Sequence, residues 1–473
     1  MAHGSVVLIH KIPAIWEIEA KARKSEYIKL SDSFQSISKI TKKETNILKN
    51  LENDIFYLFS KSVSSYLDVP NLHVVLGYND KEKRNWDVIS KNGKIEYADK
   101  FNFWSTNSPD FFPSFDSIEV LILRGNYPTF HNLLIEKYKP LVTIFYPATS
   151  LLFPHFEKNI KLLSNRIMRG EIDEKNIEEI LENLSKKSIF SKLKTPTLSK
   201  KKSSSNMLEF RKSFSKYANS ASLIAQKRRN RKSIGNYSIV LYDEEENLNS
   251  LRLVYPNSRL LKFNKPATYP FQYDITSIRD IDVIFTGTTL QKTKNFDMFY
   301  EIVDNLISLK PDIKICIVGV TGEYGKLNER WGENVVIYSR ISRPELAGLY
   351  NRSRTHIITS GRDCFPRTIP ESVVCGCYVI CLDILSDGLS TIRDNPLIGN
   401  IIDTQNQLFL LSESFSPTIK ILDNSFYKRI LDEIKIKRNH FLIAALGSEL
   451  FSTENMIQLD IIWQEIDLGL SKL

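Results

Sequence analysis

The chain is poor in cysteine, with five in 473 residues, at positions 316, 364, 375, 377 and 381. Four of them lie in "SGRDCFPRTIPESVVCGCYVICLD", residues 360–383, where the spacing offers neither a paired C-x2-C nor a neighbouring histidine. That spacing argues against zinc, so no metal site is expected; the thiols read as small buried residues of a reducing compartment. Long apolar runs are missing too. None approaches the ~18 to 20 residues that a membrane-spanning helix needs. The opening "MAHGS" has neither the basic nor the apolar region of a signal peptide and reads as an expression remnant. A cytoplasmic protein is expected, with peripheral attachment to a membrane surface or to nucleic acid as the alternative.

Acidic residues are nearly absent from one segment. Residues 184–235 hold fifteen Lys or Arg and a single acid, Glu209, a net +14, whereas the whole chain is +9. The basic character therefore belongs to this segment, and the remainder is mildly acidic. Rich in serine, it reads as part of a solvated insertion over about 156–235, unless something anionic meets it. The anionic partners considered are DNA and a membrane-surface glycolipid.

What is present is a repeated alternation of strands and helices. The runs "LHVVLGY" (72–78), "IEVLILRG" (118–125) and "PLVTIFYPA" (140–148) are almost continuously apolar, as strands covered on both faces are. "FHNLLIEKYK" reads as a helix between the last two, and "YSIVLYD" and "SRLLKFN" as further strands. After "KPATYP", a proline-marked hinge, the alternation restarts with "DVIFTG", "IKICIVG", "NVVIYSR", "THIITS" and "YVICLD". A helix with Phe296, Phe299, Ile302, Val303 and Leu306 on one face follows the first of these. Ser342 and Glu345 form a capping-box pattern that opens another. The expected organisation is α/β, with two Rossmann-like doubly wound domains. Residues 5–265 form one, residues 280–450 the other, and a helix in 451–473 packs back on the first. Ligands of such folds sit at the C-terminal ends of the strands.

Two carboxylates stand eight residues apart, Asp363 and Glu371. Carboxylates at this spacing could act as a general acid and base, or could anchor the hydroxyls of a sugar and a ribose, each accepting two donors at once. The blander reading makes Thr368 and Glu371 a capping box with Pro370 in the first turn, and pairs Asp363 with Arg362 or Arg367. Lys294 precedes Asn295, a suitable N-cap. A cation there opposes the helix dipole, and an anionic ligand would reverse that cost. Lys292 competes for the role.

This ordered series, from "FTGTTLQKTKN" through "ICIVG" and "ELAGLYNRSRTHIITS" to Asp363-x7-Glu371 and "SVVCGCYVI", resembles the retaining GT-B glycosyltransferases of the group 1, family 4-like kind. The resemblance covers residues 282–383 and implies a nucleotide-sugar co-substrate with no other cofactor. It assigns Asp363 to the donor sugar, Glu371 to the ribose, and Lys294 with the backbone of Phe365, Pro366, Arg367 and Thr368 to the diphosphate. Pro366 stands where many relatives have glycine and removes one N–H donor. Thr288 follows Gly287 where the family usually has arginine, so a second phosphate cation has to come from Arg367 or Arg340. The C-terminal half is read as lacking an Asp-x-Asp pair flanked by strand residues, the usual seat of a metal-bound diphosphate in the other major transferase fold, and the mechanism is expected to be metal-independent. On the acceptor side, Arg124, His131 and Tyr146 follow or close strands. Three rival readings stand beside this one: a transferase acting on modified DNA bases, a nucleotide-sugar epimerase, and a non-catalytic nucleic-acid-binding protein. The sequence names neither donor, acceptor nor oligomeric state.

Overall fold

The computed structural model describes residues 5–11, 54–68, 71–78, 101–105, 115, 117–124, 128–147, 237–243, 248, 251–252, 255–287, 294–320, 330–338, 341–361, 365–383, 388–404, 408–411, 417–420, 424–456, 461–462 and 464–465. The basic segment 184–235 lies outside them.

The N-terminal half contains β1 (Ser5–Lys11), α1 (Ile55–Tyr66), β2 (Asn71–Tyr78), β3 (Phe101–Ser105), β4 (Val120–Arg124), α2 (Pro128–Tyr138), β5 (Val142–Tyr146), β6 (Ile239–Tyr242) and β7 (Arg259–Lys262). Its seven strands are parallel in the order β3-β2-β1-β4-β5-β6-β7. Side chains alternate between two cores. Val120 and Ile122 of β4 pack with Phe56, Phe59 and Val63 of α1, whereas Leu121 and Leu123 pack with Leu134 of α2. A sheet covered on both faces has no polar side to show, which is why these strands read as unbroken apolar runs.

The second half contains β8 (Ile281–Thr286), α3 (Phe296–Leu309), β9 (Ile315–Val318), β10 (Val335–Tyr338), α4 (Arg343–Arg352), β11 (Ser353–Ile358), α5 (Thr368–Val374), β12 (Tyr378–Leu382), α6 (Leu389–Asp394) and β13 (Gly399–Ile402). A two-stranded ribbon, β14 (Leu408–Leu411) and β15 (Pro417–Lys420), and the helices α7 (Ser425–Lys435) and α8 (His440–Leu450) follow. The parallel order β10-β9-β8-β11-β12-β13 reverses direction between β8 and β11. That reversal opens a crevice at the C-terminal strand ends. The two doubly wound domains make the GT-B arrangement that the resemblance implies.

The chain crosses between domains twice. Asn264 and Ala267 donate their backbone N–H groups to the carbonyls of Met456 and Phe451, so the two crossings are zipped together. Beyond them Met456, Ile461 and Ile462 enter the N-terminal core beside Leu8 and Phe263.

Helix α5, which carries Glu371, is seated by α8 at a glycine. A Cβ added at Gly447 would lie 2.5 Å from Val373 Cγ1 and 3.1 Å from its backbone carbon. Gly447→Ala is therefore expected to overpack this contact, costing about 1 to 3 kcal/mol. Calorimetry should show a midpoint several degrees lower; an unchanged midpoint would mean that α8 gives way freely.

Candidate active site

The loop after β8 begins at Gly287. A Cβ there would come within 3.2 Å of the Phe285 ring and 3.3 Å of Lys294 Cγ, so glycine lets the lysine stem lie against the strand end. Asn295 occupies the cap position of α3 with a left-handed backbone, φ 49, and its side chain makes no capping bond. This corrects the simple N-cap expectation. The Asn295 amide instead donates to the Thr359 carbonyl at 3.0 Å, and Thr359 Oγ1 donates back to the carbonyls of Lys294 at 2.8 Å and Asn295 at 3.2 Å. Lys294 is thereby stitched to the end of β11, across the point where strand order reverses. Thr288, Lys292, Arg340 and Asp363 lie outside the described residues.

On the neighbouring loop Phe365 is buried with φ 39, a region that aromatic residues rarely occupy. The turn it makes shifts the start of α5. Arg367 becomes the N-cap without a side-chain cap bond, Thr368 becomes the first helical residue, and the Glu371 N–H goes to the Arg367 carbonyl at 3.2 Å. The capping box that would have occupied Glu371 is not formed. Its carboxylate lies 3.8 Å from Arg343 Nη2. Burial raises the Glu371 carboxyl above its usual range, against the pull of Arg367, Arg343 and Lys294. Arg343 is also anchored to Thr268 Oγ1 at 2.8 Å and lies over the Phe271 ring.

Beneath Glu371 runs a buried polar chain that the sequence reading passed over. Ser372 Oγ donates to the Ile369 carbonyl at 3.1 Å and lies 2.9 Å from His356 Nδ1; His356 Nε2 lies 3.0 Å from Thr286 Oγ1, itself 3.0 Å from the Tyr350 hydroxyl. One proton order satisfies every link: Tyr350 donates to Thr286, Thr286 to Nε2, and Nδ1–H to Ser372. Burial, helped by the nearby Lys294 charge, lowers His356 to about 3 and keeps the ring neutral. The chain ties α4, β8, β11 and α5 into one support.

Opposite stands the C-terminal edge of the N-terminal sheet, where Arg124 and Tyr146 are register partners closing β4 and β5. Arg124 lies over the Phe56 ring and 3.9 Å from Asp54, the residue capping α1. Burial lowers its proton affinity; Asp54 and Tyr146 oppose this, and Arg367 of the other domain adds to it. Tyr146 donates to Asp243 Oδ2 at 2.5 Å. Arg124, across the interdomain gap, and Arg343, in the same domain as Arg367, both feel the charge of Arg367.

His131 requires correction. It is fully buried between Phe145 and Tyr237, its Nδ1 2.9 Å from the Tyr237 hydroxyl. It faces the core because α2 lays that side on β5, so it is neither a cleft residue nor a surface one. The Asp280-Ile281-Asp282 pair, which the metal-free expectation overlooked, stands at the N-terminal start of β8, held by Arg352, Arg354 and Lys310. That is the end of the strand away from Gly287. The four described cysteines, 316, 375, 377 and 381, are buried free thiols. Of the residues missed, Asp243 had the clearest signal, an acid directly after the apolar run "IVLY". Arg343 and Lys265 had none beyond their neighbours.

No described helix is long and apolar enough to cross a membrane. Comparison with curated proteins finds no match. Among solved structures, the pneumococcal O-GlcNAc transferase GtfA, in complex with UDP and GlcNAc, is 14% identical with a TM-score of 0.35, covering 50% of this chain and 46% of its own. The present chain thus spans about half the length of that protein. WaaG, a glycosyltransferase involved in lipopolysaccharide biosynthesis, is 10% identical with a TM-score of 0.43, covering 84% of this chain and 89% of its own. Anabaena HepE, in complex with UDP-glucose, is 14% identical with a TM-score of 0.43, covering 87% and 94%. Residues 277–409 match the family model described as glycosyl transferases group 1. That span holds the whole six-stranded sheet with Gly287, Lys294, Arg367 and Glu371, and over it the chain is similar to the group 1 glycosyltransferases.

Proposed function

We propose that the protein transfers a sugar from a nucleotide-sugar donor to an acceptor held between the two domains, with retention and without a metal. One observation carries the reading: Glu371, Lys294 and Arg367 converge at the strand-order reversal of the domain that matches the glycosyltransferase family, with Arg124 and Tyr146 opposite. In this reading Glu371 accepts the ribose hydroxyls and Asp363 those of the donor sugar. Lys294, Arg367 and the backbone N–H groups near Thr368 face the diphosphate. As the bond from the sugar's anomeric carbon to the diphosphate breaks, a bond to the acceptor oxygen forms on the same face, and the departing diphosphate oxygen takes the acceptor proton. Fixed cations stabilise the charge that develops there, so catalysis is electrostatic and positional and demands no side-chain base. The acceptor class would be anionic, DNA or a membrane-surface glycolipid, if the segment 184–235 takes part.

The test is thermal unfolding against a panel of nucleoside diphosphates. At a hundred times its dissociation constant, the preferred one stabilises the fold by about 2.7 kcal/mol. Hydrolysis of its sugar derivative should persist in excess EDTA. A panel without any shift overturns the transferase reading, and activity abolished by EDTA and restored by magnesium or manganese overturns its metal-free form.

A further inference from the structure

Lys265 lies in the first crossing between the domains, yet its side chain is 6% exposed. Its Nζ sits 3.1 Å from Asp243 Oδ2 of the N-terminal domain, and it donates to the Phe365 carbonyl of the C-terminal domain at 3.3 Å. The rings of Tyr146 and Phe365 flank the ammonium, at 5.6 Å and 5.7 Å. Tyr146 donates to the same Asp243 oxygen that pairs with the lysine. The other oxygen, Oδ1, is buried without a hydrogen-bond partner.

A buried ion pair is a poor fastener, because well-packed apolar groups of similar volume hold as well or better. It is also not arranged for its own strength. An ammonium bridging both oxygens of Asp243 would satisfy the carboxylate, and native structures seldom leave such an atom bare. Lys265 stands instead where it reaches Asp243 and the Phe365 carbonyl together. What the lysine adds is direction: a donor fixed by one domain and aimed at one carbonyl of the other. That carbonyl belongs to the residue with φ 39, whose turn sets Arg367 at the start of α5.

We propose that Lys265 is a positioning residue, through which the N-terminal domain holds Phe365 in its left-handed turn and so sets the loop from Phe365 to Thr368 for the donor. This rests on the transferase reading for what the loop binds, but not for the linkage itself. Domain opening parts Lys265 from Phe365 and relaxes the loop, so the donor site is complete when the domains stand as they do here.

The experiment compares Lys265→Met, Lys265→Arg and Asp243→Asn with the parent. Amide hydrogen exchange at Phe365, Arg367 and Thr368, measured without ligand, should be at least tenfold faster in Lys265→Met and Asp243→Asn and near parental in Lys265→Arg. With the nucleotide sugar identified by the thermal panel, Lys265→Met should lower kcat at least tenfold while KM for the donor changes less than threefold, and Lys265→Arg should recover most of kcat. Parental exchange in Lys265→Met overturns the proposal. So does a loss of kcat that Lys265→Arg fails to restore, which would mark a merely structural lysine. Should the parent turn over no nucleotide sugar, the transferase reading fails, whereas the exchange comparison still decides whether Lys265 holds the loop.

Discussion

Glu371→Gln is expected to weaken nucleoside diphosphate binding by roughly 10- to 150-fold, the equivalent of about 1.5 to 3 kcal/mol for a hydrogen bond made by a charged group. In the same variant the midpoint of thermal unfolding at pH 8 should rise. Both follow from where the carboxylate stands. Burial holds its carboxyl above the usual range even though Arg367, Arg343 and Lys294 favour the ion. For an acid shifted upward, stability is fully present below its ordinary value, ~4.3, and is lost as pH rises through the raised one. As pH rises through that raised value, ionising the buried carboxyl costs the folded protein stability, and glutamine removes that cost at nearly constant shape. The contact with Arg343, at 3.8 Å, is too long to recover it by a direct hydrogen bond. Charge held at a cost in a crevice is a mark of a binding site, where stability and function pull apart. Calorimetric titration and unfolding of the two proteins side by side check this. Parental affinity in the glutamine variant sinks the ribose assignment, and a lower midpoint sinks the account of burial.

The strands were legible because a parallel sheet buried on both faces leaves no polar alternation, and "IKICIVG" and "YVICLD" appear as β9 and β12, buried along their whole length in the C-terminal core. Their spatial order was not legible, since β8 lies between β9 and β11 through pairings that no local pattern encodes. Two capping boxes had equal standing in the sequence. Ser342 and Glu345 make theirs, with both reciprocal bonds present. Thr368 and Glu371 do not, because the left-handed turn at Phe365 places Arg367 at the cap. Asn295 likewise had the right side chain for a cap, and a tertiary bond to the Thr359 carbonyl took it. Propensity lost to tertiary contact in each case. "KPATYP" was readable as a crossing but not as a contact, since Lys265 meets its partner Phe365 a hundred positions away. His356 was hidden for a related reason. A histidine inside an apolar strand reads as packing, and only the fold brings Thr286 and Ser372 to its two nitrogens.

Acid should unfold this protein well before its carboxylates are protonated. His131 and His356 are 0% and 1% exposed, and burial lowers both to about 3 from an ordinary 6.5. Unfolding releases each ring to take up a proton that the folded state refuses. Stability is therefore full above pH 6.5 and is lost as pH falls from there toward 3, by up to ~1.4 kcal/mol per pH unit for each histidine. Between pH 6.5 and 5 the pair removes on the order of 4 kcal/mol, a large part of the 5 to 15 kcal/mol that typically holds a fold. His440, half-buried and lowered to about 4, acts in the same direction. Glu371 acts against them, because its raised carboxyl regains stability on acidification. The paired Asp280 and Asp282, held below the usual carboxylate range, contribute their loss only at lower pH. Urea midpoints at pH 8, 6.5 and 5 should fall steeply in the parent. In the double variant His131→Gln, His356→Gln, the midpoint starts lower at pH 8, because two packed rings are gone, but its slope between pH 6.5 and 5 is much flatter. A parent whose midpoint is level from pH 8 to 5, or a double variant that falls as steeply as the parent, would show that these rings take up protons inside the fold and are not its acid-sensitive points.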